Sequence, residues 1–599
     1  TPRGAFFSFV RSRTLCALTD RVEIPGKATY YLQPISRQNF LEVKMSKKIL
    51  ASCILCTLSQ AAFTQTPPSA GSQLQQFSTP ASTPGQSLSV DIQEQSTPIP
   101  DSSESTETFL ATKLIIAGST AFSEAELLAV SGFVPNQLQS LQNLYAMANN
   151  ITAHYKSRNY LLARAYLPAQ EINDGVVTIT VLEGNYGKIS VNNSSGVSDS
   201  LALGAIEGLV SGDPVELEPL ENRLLSLSDV PGVEVRSTLI PGSSVGLTDL
   251  IVDVTPGPPI SGSIDFDNAG NRYTGEERLG STLNFNNPFG IGDVASLRAV
   301  TTGSGLNYLR GAYQIPMGQG RVGVAYSHLE YELGREFESL QANGDAQIAS
   351  LFGSYPLLRS RNANTSVGLT FERKNTEDRI DSIPFQTNKE VDVAIFSLYG
   401  NRRDTFGGGG FNDYLLALTA GNLDIETASV RAVDDVTARS NGSFNKFSFN
   451  ASRVQRLTET VSLLGSIEGQ IASKNLDISE KMELGGMDGV RAYPEGETYA
   501  DEGYLLTLEL RKLLPASNVI PGQFYAAAFV DTGTVSINAD QFAPGDNDRT
   551  LSGAGLGMYW NYSNSWTARM YYATKLGSED AQSAPDRSGR YWIQVVKYF

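Results

Sequence analysis

The sequence predicts a membrane β-barrel: an antiparallel transmembrane barrel of about 16 strands, preceded by two small α/β domains. Three observations predict this class. Residues 258–599 read as successive alternating segments of about ten residues, the pattern of outer-membrane strands. A secretory signal peptide stands near the start of the chain. The part after this signal contains no run of about 18 apolar residues that would cross a bilayer as a helix.

Residues 45–61 predict the signal peptide. Met45-Ser46-Lys47-Lys48 is a basic start, residues 49–59 are a short apolar stretch, and Ser59-Gln60-Ala61 has small residues at the two positions that a signal peptidase reads. The apolar stretch is too short to span a bilayer. Because such a signal stands at the N-terminus of a translated chain, we expect residues 1–44 to be an upstream extension that the native protein lacks.

Removal of residues 1–61 changes the charge and the cysteine content. It takes away nine Lys or Arg and three Asp or Glu, which leaves 37 basic and 60 acidic residues and a net charge of −23. A chain this acidic is not expected to bind nucleic acid. Cys16, Cys53 and Cys56 also leave, so we expect neither a disulfide framework nor a thiolate metal site.

Two domains are predicted between the signal and the barrel. Residues 62–108 are rich in Ser, Thr, Pro and Gln and predict a disordered linker, because this composition cannot bury a core. Residues 109–187 predict the first domain, with a strand at 114–116, a capped helix start at Ser123, a helix from about 138 to 158, and strands at 164–167 and 176–183. Residues 188–257 repeat the order of strand, two helices and two strands, so we expect a tandem pair.

The barrel prediction for residues 258–599 depends on alternation. Val461, Leu463 and Ile467 share one face of a strand, whereas Ser462 and Glu468 share the other. The chain ends in an amphipathic strand, residues 591–599, with a terminal aromatic residue. A soluble β-sandwich is the alternative, but closure in lipid accounts for the aromatic end and the signal peptide together.

One loop between two such segments stands out, Gly485-Gly486-Met487-Asp488-Gly489-Val490-Arg491-Ala492-Tyr493-Pro494. A glycine-rich loop of this kind can fold back as a compact hairpin. If it lies inside a barrel, the charge of Arg491 needs a partner. The neighbouring Glu495, Glu497, Asp501 and Glu502 either line a conduit or belong to an acidic exposed loop.

The sequence argues against enzymatic chemistry, and we expect no cofactor. His154 and His328 are the two histidines and lie in different domains, so we expect neither a histidine metal site nor a Ser/His/Asp set. No phosphate-binding loop of the Gly-x-x-x-x-Gly-Lys-Ser/Thr type is present.

The order of these segments resembles the TpsB transporters of bacterial two-partner secretion, and the resemblance covers residues 109–599. Leu167-Pro168-Ala169-Gln170, followed by Asp174-Gly175-Val176 and by Glu183-Gly184, is similar to the POTRA domain specific to this family. Asp267-Asn268-Ala269-Gly270 and Asn287-Pro288-Phe289-Gly290 are similar to its first barrel hairpin.

The resemblance implies a lumen site. In the family, the loop between strands 11 and 12 carries a Val-Arg-Gly-Tyr motif and folds into the barrel. Val490-Arg491-Ala492-Tyr493 matches at three of four positions, and Ala492 departs where glycine is usual. Phe529-x-Asp531-x-Gly533 matches the partner motif on the inner wall. We expect Asp531 to accept from Arg491 and to hold the loop inside, because a buried guanidinium needs a bidentate acceptor.

The resemblance also implies partners. The POTRA element, represented by Pro168, Gln170, Gly175, Glu183 and Gly184, would bind an unfolded secreted exoprotein of the adhesin or haemolysin type in the periplasm. Phe599 would act as the C-terminal signal for the barrel assembly machinery, after delivery by periplasmic chaperones. Outer-membrane lipid would surround the barrel. Some relatives carry a plug helix before the linker, and here residues 73–77 are the short candidate for it.

Two other functions remain open at this stage. A barrel-inserting assembly factor of the same superfamily also has POTRA domains and the arginine motif, but assembly factors usually have three or more such domains. A diffusion porin or adhesin needs no periplasmic domains, so residues 109–255 argue against it. The sequence therefore favours secretion.

Overall fold

The structure is a computed structural model that describes residues 67–77, 89–92, 108–517, 519–563 and 565–599. The predicted extension 1–44, the signal peptide 45–61 and most of the predicted linker lie outside these residues. Two pieces of the linker are described: a short helix, α1 (Ala70–Leu74), and a strand, β1 (Ser89–Ile92).

The first domain packs two helices on a small sheet. Its elements are β2 (Thr108–Ala111), β3 (Lys113–Ala117), α2 (Glu124–Ser131), β4 (Gln137–Ser140), α3 (Leu141–Ser157), β5 (Arg164–Tyr166) and β6 (Val176–Leu182). Helix α3 begins later than its periodicity predicts, because residues 137–140 pair with β2 instead. Ser140 then caps α3 through a hydrogen bond from the Asn143 N–H, at 3.2 Å. The core of this domain comes from Leu144, Ile151 and Tyr155 on one face of α3, all fully buried.

The second domain has a strand, two helices and two strands, which are β7 (Asn185–Asn193), α4 (Asp199–Ala205), α5 (Leu217–Ser228), β8 (Val233–Pro241) and β9 (Leu247–Pro256). Its sheet has four strands rather than three, in the order β1-β8-β9-β7. The added strand is β1 from the linker, which pairs with β8 in parallel, Ser89 opposite Arg236 and Ile92 opposite Leu239. Composition alone predicted disorder for this segment, and pairing with a sheet edge explains the difference.

Sixteen antiparallel strands then close into a barrel, which confirms the predicted fold class. The first eleven are β10 (Ile260–Asp267), β11 (Arg278–Asn286), β12 (Val294–Thr301), β13 (Leu306–Met317), β14 (Gly320–Glu332), β15 (Ala342–Arg359), β16 (Ala363–Ile380), β17 (Phe385–Asp404), β18 (Gly410–Ile425), β19 (Gly442–Arg456) and β20 (Val461–Ala472). After a loop with the short strands β21 (Met482–Glu483) and β22 (Tyr499–Ala500) come β23 (Glu502–Leu513), β24 (Gln523–Ser536), β25 (Asp548–Tyr562), β26 (Trp566–Lys575) and β27 (Gly589–Tyr598).

The remaining elements of the described residues are short. They are helix α6 (Ala428–Asp434) and three short 3₁₀ segments, Arg335–Leu340, Phe406–Gly408 and Ile478–Glu480. None of the helices in the described ranges is both long and apolar enough to cross a bilayer.

The second domain touches the barrel at one end. The Arg359 guanidinium binds both carboxylate oxygens of Asp229, at 2.6 and 2.7 Å, and Asn222 donates to the Arg359 carbonyl at 3.1 Å. Arg361 pairs with Glu221 at 2.8 Å. Because barrel turns alternate between the two ends, the loop between β20 and β23 enters from the opposite end.

Candidate functional site

The loop of residues 473–501, between barrel strands 11 and 12, contacts the inner wall on several sides. Two carboxylates on neighbouring strands hold the Arg491 guanidinium. Its Nε and Nη2 donate to Asp531 at 2.9 and 2.8 Å, and its Nη1 donates to Glu509 at 2.7 Å. Exposure of the three side chains is 6% or less. The structure thus brings Arg491 and Asp531 together in the bidentate geometry that favours strong charge-assisted hydrogen bonds.

Aromatic side chains cover the rest of Arg491. The guanidinium carbon lies 3.3 Å from the centroid of the Phe529 ring and 4.8 Å from that of Tyr571. The indole of Trp592 donates to the Arg491 carbonyl at 2.7 Å. The charge therefore sits between carboxylates and ring faces, which attract a cation by their quadrupole.

Glu509 was not anticipated as a partner of Arg491. Its alternation with Thr507 and Arg511 places it on the polar face of β23, but this pattern does not say which carboxylate meets the loop. Its other oxygen accepts from Arg511 at 2.7 Å and from the Tyr559 hydroxyl at 2.5 Å. Two guanidinium groups thus face two carboxylates, and the buried cluster is neutral overall.

Ala492 fits the hairpin without backbone strain. It lies outside the left-handed region in which glycine is favoured, so its departure from the family motif carries no conformational cost. Its methyl group is fully buried against Gly553, where an added Cβ would stand 2.5 Å from the Cβ of Ala492. A glycine on the wall therefore accommodates the alanine in the loop.

The other motif residues pack the hairpin against the wall. Val490 and Tyr493 are fully buried. The Val490 N–H donates to the Leu484 carbonyl at 2.8 Å, and the Tyr493 hydroxyl donates to the Glu579 carbonyl at 3.0 Å. Gly533 faces the same hairpin, because a Cβ there would collide with the Leu484 side chain. The two sequence motifs are thus in direct contact.

The acidic residues after the motif are held, not exposed. Glu497 is 5% exposed and accepts from Arg549 at 2.5 Å, and its other oxygen accepts from the Ser583 N–H at 2.9 Å. Asp501 is fully buried and pairs with Lys481 at 2.9 Å. Glu497 thus fixes the loop to β25 and to the loop that carries Ser583, whereas the pair of Asp501 with Lys481 closes the lumen loop on itself.

A short plug segment lies against the loop. Helix α1 and the residues after it pack into the barrel, where Phe77 stacks on Tyr308 with ring centroids 4.3 Å apart. The Gln75 side chain donates to the Ile478 and Lys481 carbonyls, both at 2.5 Å. The candidate segment 73–77 therefore belongs to a plug whose described part, residues 67–77, contains the short helix α1.

In the first domain, the Pro-Ala-Gln element shapes a sheet edge. Pairing of β5 with β6 stops before Pro168, and the Gln170 amide then binds both main-chain groups of Thr178, at 2.7 Å each. This side chain takes the place of a neighbouring strand. In the part of the chain that the structure describes, the outer edge of β5 (Arg164–Tyr166) pairs with no further strand.

Glu183 is a buried residue of the first domain. It accepts from the Thr120 and Ala121 N–H groups at 2.7 and 2.8 Å and from the Tyr155 hydroxyl at 2.8 Å. Burial alone would raise its pKa, but these hydrogen bonds outweigh it and lower the pKa below its ordinary value. Its oxygens are used within the domain, so it does not face the open edge.

The remaining predicted residues lie at turns and at the barrel seam. Gly175 and Gly184 stand in the turns that flank β6, both with positive φ. Phe599 is 52% exposed, and its main chain exchanges two hydrogen bonds with Gly262 of β10, at 2.8 and 3.0 Å.

The chain matches the models of one known protein family and of its periplasmic domain. A family model described as haemolysin secretion/activation protein ShlB/FhaC/HecB matches residues 246–560, and a model of the ShlB-type POTRA domain matches residues 109–184. The chain belongs to the ShlB/FhaC/HecB family. Members of this family are TpsB transporters, which work with secreted TpsA exoproteins.

Relatives of the family agree with this assignment. The chain is 29% identical over 470 residues to the heme/hemopexin transporter protein HuxB of Haemophilus influenzae strain 86-028NP, over 77% of this chain and 81% of that protein. In fold it is similar to the solved structure of CdiB from Escherichia coli, with a TM-score of 0.64, 22% identity, and coverage of 84% and 93%.

A second solved structure shares the fold. This is BamA from Haemophilus ducreyi lacking POTRA domains 1–3, with a TM-score of 0.52, 15% identity, and coverage of 82% of this chain and all of that one. At this identity the likeness concerns the fold alone.

As a member of the ShlB/FhaC/HecB family, the chain is a two-partner secretion transporter, with its barrel in the outer membrane and its POTRA domains in the periplasm.

Proposed function

We propose that this transporter carries one large exoprotein, of the adhesin or haemolysin type, through its barrel as an extended chain. The observation that carries the proposal is the loop of residues 473–501, a loop held by buried ion pairs in a lumen that also contains a plug. A passive pore needs no such filling. The interior instead suits a conduit that opens for one kind of cargo and is otherwise closed.

Capture would take place at the open edge of β5. An extended segment can add to this edge through main-chain hydrogen bonds, which give affinity with loose sequence demands. Pro168 and Gln170 support this role because they end the pairing of β6 and leave β5 outermost. Gly175, Glu183 and Gly184 then act by shaping the domain.

Export needs a driving force and a folded barrel. We propose that folding of the exoprotein at the cell surface drives it outward, since the periplasm supplies no ATP. Phe599 supports delivery by chaperones and insertion into lipid by the barrel assembly machinery, because it completes the seam between β10 and β27. We propose no enzymatic activity and no cofactor for the chain.

The test is deletion of residues 109–187 in cells that express an exoprotein of this class. We expect secretion into the medium to stop while the purified barrel still conducts ions in planar bilayers. Secretion that continues would contradict the proposal. A loss of other outer-membrane barrels from the same cells would point to an assembly factor instead.

A further inference from the structure

Three lysines on the inner wall converge on one segment of the lumen loop. Lys374 of β16 and Lys446 of β19 each bind one carboxylate oxygen of Glu480, at 2.7 and 2.8 Å. Lys389 of β17 binds Asp477 at 2.6 Å. The cations thus come from three strands, whereas both carboxylates come from a single stretch of four residues.

These contacts are well shielded from water. The lysine side chains are 13–20% exposed, and the carboxylates of Glu480 and Asp477 are 2% and 4% exposed. The other charged groups nearby are few: Glu372 lies 3.6 Å from Lys374, and the wall carboxylate Asp378 accepts from the Ala70 N–H and the Tyr331 hydroxyl. The loop therefore supplies the main counter-charge for a cationic strip of wall.

The plug covers the same segment from the other side. A Cβ on Gly71 would stand 2.9 Å from the Ile478 side chain and 3.1 Å from the Ser479 nitrogen. The Gln75 side chain donates to the Ile478 and Lys481 carbonyls of this segment. Residues 477–481 are thus packed between α1 and the lysine strip, and plug and segment must both withdraw before a chain can use this part of the lumen.

We propose that Lys374, Lys389 and Lys446 form a carboxylate-binding site of the conduit. Asp477 and Glu480 occupy it at rest, and acidic side chains of the exported polypeptide occupy it during transport. The site rests on the proposed function. Its physical basis is that withdrawal of the loop removes the close carboxylate partners of all three lysines and leaves Lys374 only the longer contact with Glu372, a costly state that passing carboxylates relieve.

The experiment breaks the same ion pairs in two ways, by changing the carboxylates in one variant and the lysines in the other. The full chain is reconstituted in planar bilayers, and poly-L-glutamate serves as the probe of the site. Asp477→Asn with Glu480→Gln removes the resident carboxylates, whereas Lys374→Met with Lys389→Met and Lys446→Met removes the site. Both variants remove the ion pairs that hold residues 477–480 against the wall, so both should conduct more than the unmodified protein.

The two variants should differ in block by poly-L-glutamate. The carboxylate variant should be half-blocked at about tenfold lower concentration, and the lysine variant at about tenfold higher concentration, each equivalent to about 1.4 kcal/mol in affinity. Poly-L-lysine should not block either variant at these concentrations. If both variants respond alike to poly-L-glutamate, or if poly-L-lysine blocks equally, the site is overturned.

A matched control comes from β16 and β17, two of the three strands that carry the lysines. Asp392→Asn breaks the exposed pair between Arg373 of β16 and Asp392 of β17, whose atoms lie 2.7 and 2.8 Å apart, and should change neither conductance nor block. Heat-modifiable migration in gels verifies that each barrel has folded. If the triple variant does not fold, Lys389→Met alone, which frees Asp477, provides the same comparison and the same criterion.

The outcome separates this site from the proposed function. Block by poly-L-glutamate needs no exoprotein, so its insensitivity to the lysines overturns the site and leaves secretion standing. An exoprotein that is not secreted by a chain whose block follows the predicted order overturns the secretion proposal instead.

Discussion

A buried arginine is costly unless every part of it is satisfied, and Arg491 meets this demand. Two carboxylates bind its nitrogens, and ring faces cover its plane. Removing one partner from such a cluster typically costs about 3–5 kcal/mol, because the charge left behind stays buried. The ion pairs of Arg491 therefore hold the loop firmly when both carboxylates are present, and the loss of either carboxylate destabilises the loop.

Charge reversal at Arg491 should abolish secretion. Arg491→Glu places a third carboxylate beside Asp531 and Glu509, so repulsion should expel the loop from its seat. We expect secretion of the exoprotein to fall to background, while heat-modifiable migration shows a folded barrel. Arg431→Glu, which changes an exposed arginine paired with Asp424, is the control. Normal secretion by the Arg491 variant would refute the role of the pair.

The contact between Ala492 and Gly553 gives a second prediction. Gly553→Ala brings two methyl carbons to 2.5 Å, and overpacking of this kind costs about 1–3 kcal/mol. We expect a lower unfolding midpoint in detergent and more frequent channel openings. The double variant Gly553→Ala with Ala492→Gly should recover most of the loss, since it removes the clashing atom. A double variant as unstable as the single one would show that the clash lies elsewhere.

The residue scale also shows what sequence reasoning could reach. The Arg491 and Asp531 pairing was accessible from two motifs and from the need of a buried guanidinium for a bidentate acceptor. Glu509, Lys374 and Lys446 were not, because alternation places a side chain on the lumen face without saying what crosses the lumen to meet it. Such contacts depend on the path of the loop, which is not a local property.

At the scale of elements, the barrel strands could be predicted from the sequence, whereas the short strand β1 could not. Period-two alternation gave the barrel strands, and helical spacing gave α3, although it placed the start of the helix three residues too early. Strand β1 had no such signal. It is four residues long, lies in a Ser/Pro-rich segment, and is ordered by pairing with β8 across 147 positions of sequence. Non-local pairing of this kind is absent from a local pattern.

The register of β1 makes a direct prediction. In a chain whose Cys16, Cys53 and Cys56 are replaced by serine, Ser89→Cys with Arg236→Cys should form a disulfide under mild oxidation, since neighbouring strands bring paired Cα atoms within bonding range. The reaction is read as a mobility shift in non-reducing gels. Ser89→Cys with Glu234→Cys, two residues out of register, should cross-link far less. Equal cross-linking of both pairs would mean that β1 does not hold this register.

The whole molecule joins two periplasmic domains to a closed barrel, and polar side chains make part of the contact between them. Arg359 and Arg361, on one barrel turn, bind Asp229 and Glu221 of the second domain. Exposed pairs of this kind are worth only about 0.2–1 kcal/mol each, so these two pairs orient the domain without locking it. Domain order was predictable from composition and motifs, whereas this contact depends on how two folded units meet.

Weakening this contact should loosen the domain from the barrel. Arg359→Ala with Arg361→Ala should raise the rate of limited proteolysis at residues 256–259 several-fold, because the linker there becomes more accessible. Arg373→Ala, on the outer face of β16, should leave the rate unchanged. An unaltered rate in the double variant would mean that other contacts hold the domain.

The barrel wall is not of even height. Strand β10 has eight residues and β17 has twenty, so at about 3.3 Å per residue their lengths are roughly 26 and 66 Å. The turn before β16 and the turn after β11 both touch the second domain, so the extra length lies at the cell surface. The rim of the barrel at the cell surface is therefore slanted, low at β10 and high at β17. An exoprotein that leaves the barrel there would be sheltered by the long strands on one flank and would meet open water on the other.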